Sequence, residues 1–186
     1  MPILDQNNPT EVSRYIAFTK TFRNAHFYQD YRWSYVKNNL KCECVYLETE
    51  GVITAACTVY IRPIAAGLSI LYGQRGPLCD LSDPTETLAL IKEMKPLVKK
   101  YHAFMIKFDP NVKDSQQMRQ NFQNAGFKIR GEGYSKLDLI LSRRSMVLDT
   151  EGKTLEELLP QFKPGTRYNC KKSQRNGLEV IEGYTK

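Results

Sequence analysis

The sequence predicts a mixed α/β protein. One sheet with flanking helices takes residues 1–145, and residues 146–186 open a second copy of the same plan. Three observations carry this. Short runs of alternating or continuous apolar residues interleave with segments of helical period. Two of those runs, CECVYLETE and VITAACTVYI, meet at Glu50-Gly51, a two-residue hairpin signal. The strand-helix-helix-strand order of residues 1–50 then begins again after residue 145.

MPILD reads as a short strand. Pro9-Thr10 opens a helix that sets Val12, Tyr15, Ile16 and Phe22 near one face. QDYRWSYVKNNL is a second helix, with Trp33 and Lys37 one turn apart on the same side. After the hairpin, LSILYG is a third strand that ends in QRGP. Asp83 is a helix N-cap, Pro84 the first helical residue and Glu86 an acid three past the cap. The helix that follows shows Leu88, Ile91, Met94, Lys95 and Val98 in helical rhythm. AFMIKFD is a compact buried strand ending at Asp109-Pro110. Asp114 caps a further helix with Met118, Phe122 and Ala125 inward, and Gly126 closes it. FKIRGEGY and KLDLILS complete the block as strands.

This order is that of the acyltransferase fold shared with the N-acetyltransferases, a GNAT-like mixed sheet. In that fold two neighbouring central strands splay and the acyl donor enters between them; here the candidates are SILYG and AFMIKFD. In the second block SMVLDT is a strand and Thr154–Glu157 a capping box that opens TLEELLPQF. TRYNCKKSQR is a second helix, with Thr166 as its cap and Gly177 as its stop, and LEVIEGY a strand. One such unit buries too little to be a domain alone. The expectation is a tandem duplication whose second copy is incomplete. An intact protein with a two-helix appendage is the alternative.

The composition is that of an ordinary globular chain, 41% apolar and 25% charged. No apolar run is long enough for a membrane span, and MPILDQNNPTEV lacks the pattern of a signal peptide. The expected location is cytoplasmic, at most peripheral at the inner face of the membrane. The five cysteines lack CxxC spacing and only two histidines accompany them, so reduced structural thiols are expected rather than a zinc site. The net charge is +7, and Lys163–Gly177 supplies five positive charges with no acid. Arg167, Lys171 and Arg175, spaced i, i+4, i+8, form one stripe with Tyr168 beside it. Such a stripe can follow a phosphate backbone, or it can be a solvated helix face.

Gly73, Gly76 and Pro77 force a sharp turn after the third strand, leaving Tyr72 and Arg75 where ligands collect in such folds. Acyl-CoA users of this fold carry a glycine-rich run at the start of the next helix, where backbone N–H groups hold a pyrophosphate. That helix begins SDPTETLAL here, without glycine and with Pro84 removing one N–H, so coenzyme A is a poor fit. Lys37 reads either as the wet end of an amphipathic helix or as a ligand-facing cation. Asp109 reads as a turn residue or as a site carboxylate. No nucleophile–base arrangement is legible, which disfavours covalent catalysis.

MPILDQNNPTEVSRYIAF, QDYRWSYVKNN, YGQRGP with Asp80 after it, IKFDP and RYNCKKSQRNGLEV together resemble the FemABX family, the non-ribosomal peptidyltransferases of peptidoglycan bridge synthesis. The order and spacing of the short W-x-x-V-K, RGP and F-D-P elements carry the resemblance across the chain. It implies two tandem acyltransferase-like domains. It also implies an aminoacyltransferase that moves an amino acid from aminoacyl-tRNA to the stem-peptide amine of UDP-MurNAc-pentapeptide or lipid II. No cofactor is implied. Substrate binding would fall to Trp33, Lys37, Tyr72 and Arg75, with Lys37 on the precursor diphosphate. Asp109 would be the catalytic carboxylate, accepting a proton or orienting the amine. Arg167, Lys171 and Arg175 would meet tRNA. Members run on for roughly 150 residues more, so this stretch would be the precursor-binding half and inactive by itself. The rival readings are an acyl-CoA N-acetyltransferase and a non-catalytic module that binds RNA or another anion.

Overall fold

The computed structural model describes residues 3–36, 41–130, 148–179 and 181. The chain divides into two compact units, Met1–Gly131 and Glu132–Lys186.

In the first unit, helix α1 (Pro9–Thr21) starts on Asn8, whose side chain accepts from the N–H groups of Thr10 and Glu11. Strands β1 (Cys42–Thr49) and β2 (Val52–Pro63) pair antiparallel. Their turn has both Glu50 and Gly51 at positive φ, as a tight two-residue hairpin requires. β2 pairs antiparallel with β3 (Ser69–Gly73), which pairs parallel with β4 (Ala103–Phe108). The sheet order is β1-β2-β3-β4. Helices α3 (Thr85–Glu93) and α4 (Lys95–Lys100) make the parallel crossover, and α5 (Gln116–Asn124) follows β4. This is the mixed α/β sheet of the acyltransferase fold.

Strand alternation sorts β2 onto two cores. Ala55, Cys57, Val59 and Ile61 face the layer of α3, α4 and α5, packing with Leu71, Leu90, Met94, Leu97 and Phe122. Ala56 faces the other way, with Cys44, Tyr46 and Tyr15 of α1. Burial on both faces explains why this strand reads as a nearly continuous apolar run. All five cysteines are free thiols; Cys44, Cys57 and Cys79 are buried.

Several expectations change. MPILD contributes one antiparallel bridge, Ile3 to Val45, because the chain turns at Asn7 into α1. The second helix is broken in its described part: a 3-10 turn (Phe27–Gln29) precedes a single helical turn α2 (Trp33–Val36). Gln29 is consumed by a tertiary network, described below, and Asp30 is extended. The crossover helix splits at Met94, ahead of Pro96, and its buried side is Thr87, Leu90, Met94 and Leu97. Leu88 is exposed. Thr85 is the first helical residue, and Asp83 accepts from its N–H. Ser115 caps α5, while Asp114 pairs with Arg119. β4 is only half-buried, with Phe104 exposed, and has one neighbouring strand among the described residues. Phe127–Arg130 is not a strand; Gly131–Tyr134 and KLDLILS lie outside the described residues.

In the second unit, α6 (Leu155–Leu158) begins on the expected capping box. Thr154 accepts from the Glu157 N–H, and the Glu157 carboxylate accepts from the Thr154 N–H. A 3-10 turn (Leu159–Gln161) extends it, and α7 runs Pro164–Arg175. The start of α7 is earlier than expected because Pro164 takes the first helical position and Lys163 the cap; Thr166 lies inside. Leu148–Thr150 of SMVLDT and the described residues of LEVIEGY form no strand, and the rest of both lies outside the described residues. Among the described residues no helix is long and apolar enough to cross a membrane.

Candidate functional site

The turn after β3 concentrates the polar structure of the first unit. Tyr72 and Gly73 end β3, Phe108 ends β4, and Asp109 follows directly. The Tyr72 hydroxyl donates to Asp109 Oδ2 at 2.7 Å, and the Arg75 backbone N–H donates to Asp109 Oδ1 at 2.6 Å. One carboxylate therefore ties the side chain of β3 and the turn beyond it to the end of β4. Arg75 sits at φ 56°, a left-handed conformation that costs a non-glycine residue about 1 kcal/mol, and the charge-assisted bond to Asp109 offsets it.

The expected opening between SILYG and AFMIKFD is absent. The strands pair from Ser69↔Ala103 through Gly73↔Phe108. The Phe108 ring lies so close to Gly73 that a Cβ there would stand 2.7 Å from it and from Cys57 Sγ. Glycine at 73 lets the strands close, and Asp109 holds their ends together.

A second network fixes the turn from below. Gln29, fully buried, donates from Nε2 to the carbonyls of Thr58 at 3.1 Å and Gln74 at 2.7 Å. Its Oε1 accepts the Thr58 N–H at 2.8 Å. The Thr58 hydroxyl donates to the Gln29 carbonyl at 2.7 Å, so Tyr15, 2.8 Å away, donates its own proton to Thr58. Gly76 packs on this amide; a Cβ would stand 2.6 Å from it. The requirement for glycine in RGP is thus steric.

Trp33 belongs to an aromatic group beside the turn, 4.7 Å from Phe27 and 5.6 Å from Tyr28 between ring centroids. Its indole Nε1 is shielded from solvent and has no hydrogen-bond partner among the described residues. His26 stacks on Tyr28 at 4.9 Å, and its Nδ1 accepts the Tyr28 N–H. Burial lowers the His26 pKa below its ordinary value; Arg75 lowers it further and Asp109 partly opposes them. Burial, and then the bond to Asp109, push the Tyr72 phenol far above its usual range, so it stays a donor.

The structure thus brings Tyr72, Arg75 and Asp109 together, with Trp33 in an aromatic group whose His26 feels both charges. Lys37 lies outside the described residues. Arg167, Lys171 and Arg175 lie in α7, exposed and without acidic partners among the described residues. Cys170 is exposed as well. Sequence reasoning overlooked Gln29, His26, Arg62 and Lys107. The first two are placed by non-local contacts. For the other two the signal was strand parity, since Arg62, Tyr72 and Lys107 fall on one face of the paired strands.

What this arrangement can do is position rather than attack. Both oxygens of Asp109 are engaged, and among the described residues its partners are hydrogen-bond donors, the Tyr72 hydroxyl and the Arg75 N–H.

The chain was compared with known proteins. Residues 10–185 match the model of the FemAB family. The chain is 31% identical over 192 residues to UDP-N-acetylmuramoylpentapeptide-lysine N(6)-alanyltransferase of Weissella viridescens, covering 98% of this chain and 56% of that protein. It is 28% identical over 171 residues to lipid II:glycine glycyltransferase of Staphylococcus haemolyticus, covering 88% of this chain and 40% of that protein. The crystal structure of FemX superposes with a TM-score of 0.72 at 24% identity, over 94% of this chain and 44% of that one, a likeness of fold. The chain spans about half the length of the relatives it matches. With its family match running over nearly the whole sequence, the chain belongs to the FemAB family.

Proposed function

We propose that this chain is the acceptor-binding portion of an aminoacyltransferase that extends the stem peptide of a peptidoglycan precursor, UDP-MurNAc-pentapeptide or lipid II. The observation that carries the reading is the 31% identity, over 98% of this chain, to a protein named as a UDP-N-acetylmuramoylpentapeptide-lysine alanyltransferase. The proposed donor is aminoacyl-tRNA. Its ester is already activated, so catalysis is mainly a matter of bringing amine and ester together, which in favourable systems supplies about 7–11 kcal/mol.

The geometry fits that chemistry. Asp109 accepts from Tyr72 and Arg75, so it orients an ammonium more readily than it withdraws a proton. The closed β3–β4 pair and the start of α3, where Asp83 and Glu86 crowd the first turn, favour this reading over an acyl-CoA donor. Lys37 is assigned to the precursor diphosphate and the α7 stripe to tRNA phosphates.

Isothermal titration of the chain with UDP-MurNAc-pentapeptide and with acetyl-CoA tests the proposal. Saturable binding of the precursor alone is expected, weakened by salt and by Lys37→Ala. Binding of acetyl-CoA without the precursor would overturn it.

A further inference from the structure

Two cations converge on Tyr72 from the strands that flank it. The Arg62 guanidinium of β2 lies 4.9 Å from the ring centroid, and the Lys107 ammonium of β4 lies 5.9 Å from it. The register accounts for this: Tyr72 stands opposite Lys107, and Arg62 is two positions along β2 from Tyr60, the other partner of Tyr72. Both cations are half-buried, and among the described residues neither has an acidic partner in an ion pair. Arg62 Nε is moreover shielded from solvent, with no hydrogen-bond partner among the described residues. A buried donor left unmade costs about 1–3 kcal/mol, so the arrangement is incomplete as it stands. Asp109 is directed at Tyr72 and the Arg75 N–H.

We infer that Arg62 and Lys107 form an oxyanion-binding site against Tyr72, which takes a carboxylate or phosphate group of the ligand held beside Asp109. The missing partner of Arg62 Nε is then a ligand oxygen, and Lys107 neutralises the same group from β4. Guanidinium suits both oxyanions, since each can accept from its planar fork. The site itself rests on these residues alone; naming the ligand as a precursor, which carries both a diphosphate and peptide carboxylates, rests on the function proposed above.

The test is titration of the full chain with inorganic pyrophosphate, with UDP and with free stem pentapeptide, in wild type, Arg62→Gln, Lys107→Gln and Arg62→Lys. A charge-assisted bond of this kind is worth about tenfold in affinity. If the oxyanion is phosphate, both Gln variants weaken pyrophosphate and UDP about tenfold each and spare the pentapeptide. If it is carboxylate, the pentapeptide alone weakens. Either result supports the site, and Arg62→Lys restores part of the loss. Near-UV circular dichroism checks the fold of Arg62→Gln, and exposed Lys99→Gln serves as the charge control. Gln variants that bind every probe as wild type does, or a wild type that binds none, would overturn the inference. Because no donor is present, the outcome is readable whether or not the chain takes part in aminoacyl transfer.

Discussion

The turn after β3 and helix α7 both carry arginines, yet they are built in opposite ways. At the turn the hydrogen bonds reach residues distant in sequence: Gln29 to Thr58 and Gln74, and Tyr72 and Arg75 to Asp109. In α7 the hydrogen bonds are local, no residue is buried, and Arg167, Lys171 and Arg175 project from one continuous helix. A site that positions a small reacting group needs the first design, because its geometry must not drift. A surface that meets a polyanion by charge needs only the second, because phosphate contacts tolerate variation. This contrast predicts that substitutions at the turn act on folding and geometry together, whereas substitutions in α7 act on binding alone.

The largest effect is expected from Gln29→Ala. It strands the Thr58 N–H and two carbonyls in a buried site, and a loss of about 3 kcal/mol is expected in urea unfolding. The triple α7 replacement by Gln should stay within about 0.5 kcal/mol of wild type in the same assay. Equal losses would remove the distinction. Next comes Asp109→Ala, which frees the Tyr72 hydroxyl and the Arg75 N–H. About 1–3 kcal/mol should be lost, with amide exchange rising first at Gly73 and Arg75. If exchange there is unchanged, Asp109 does not hold the strand ends together.

A smaller effect is expected from His26. Its folded pKa lies below the ordinary 6.5, so the unfolded chain binds the proton more tightly. The contribution to stability is present in full above pH 6.5 and is lost as the pH falls through the folded value. His26→Gln should flatten the stability curve in that range, while the α7 variants leave it unchanged. A wild-type curve that does not decline below pH 6.5 would show that His26 is not held neutral by its surroundings.

Local chemistry was the most legible part of the sequence. The hairpin at Glu50-Gly51 and the capping box at Thr154 depend on residues within a few positions of each other, and both stand as read. The helix at Gln29–Arg32 failed for the opposite reason. Its pattern is helical, but the Gln29 amide forms three bonds to backbone groups 29 and 45 residues away, and these override propensity. The face of α3 was misjudged because Thr87, a polar residue, is buried beside Cys79, while Leu88 is exposed. Tyr72 and Arg75 were legible as turn neighbours of glycine. Their tie to Asp109 requires the parallel register of β3 and β4, which no local signal contains. Arg62 and Lys107 became visible only once that register was known.

In the function proposed above, the turn of the first unit serves the acceptor and the stripe of α7 the donor. The direct measurement compares wild type with the Arg167→Gln, Lys171→Gln, Arg175→Gln triple variant, titrating each with UDP-MurNAc-pentapeptide and with tRNA over a range of salt. Unchanged precursor affinity is expected. Weaker tRNA binding is expected as well, with a log–log salt slope shallower by up to about three units. Precursor binding lost while tRNA binding and its salt slope persist would contradict that proposal.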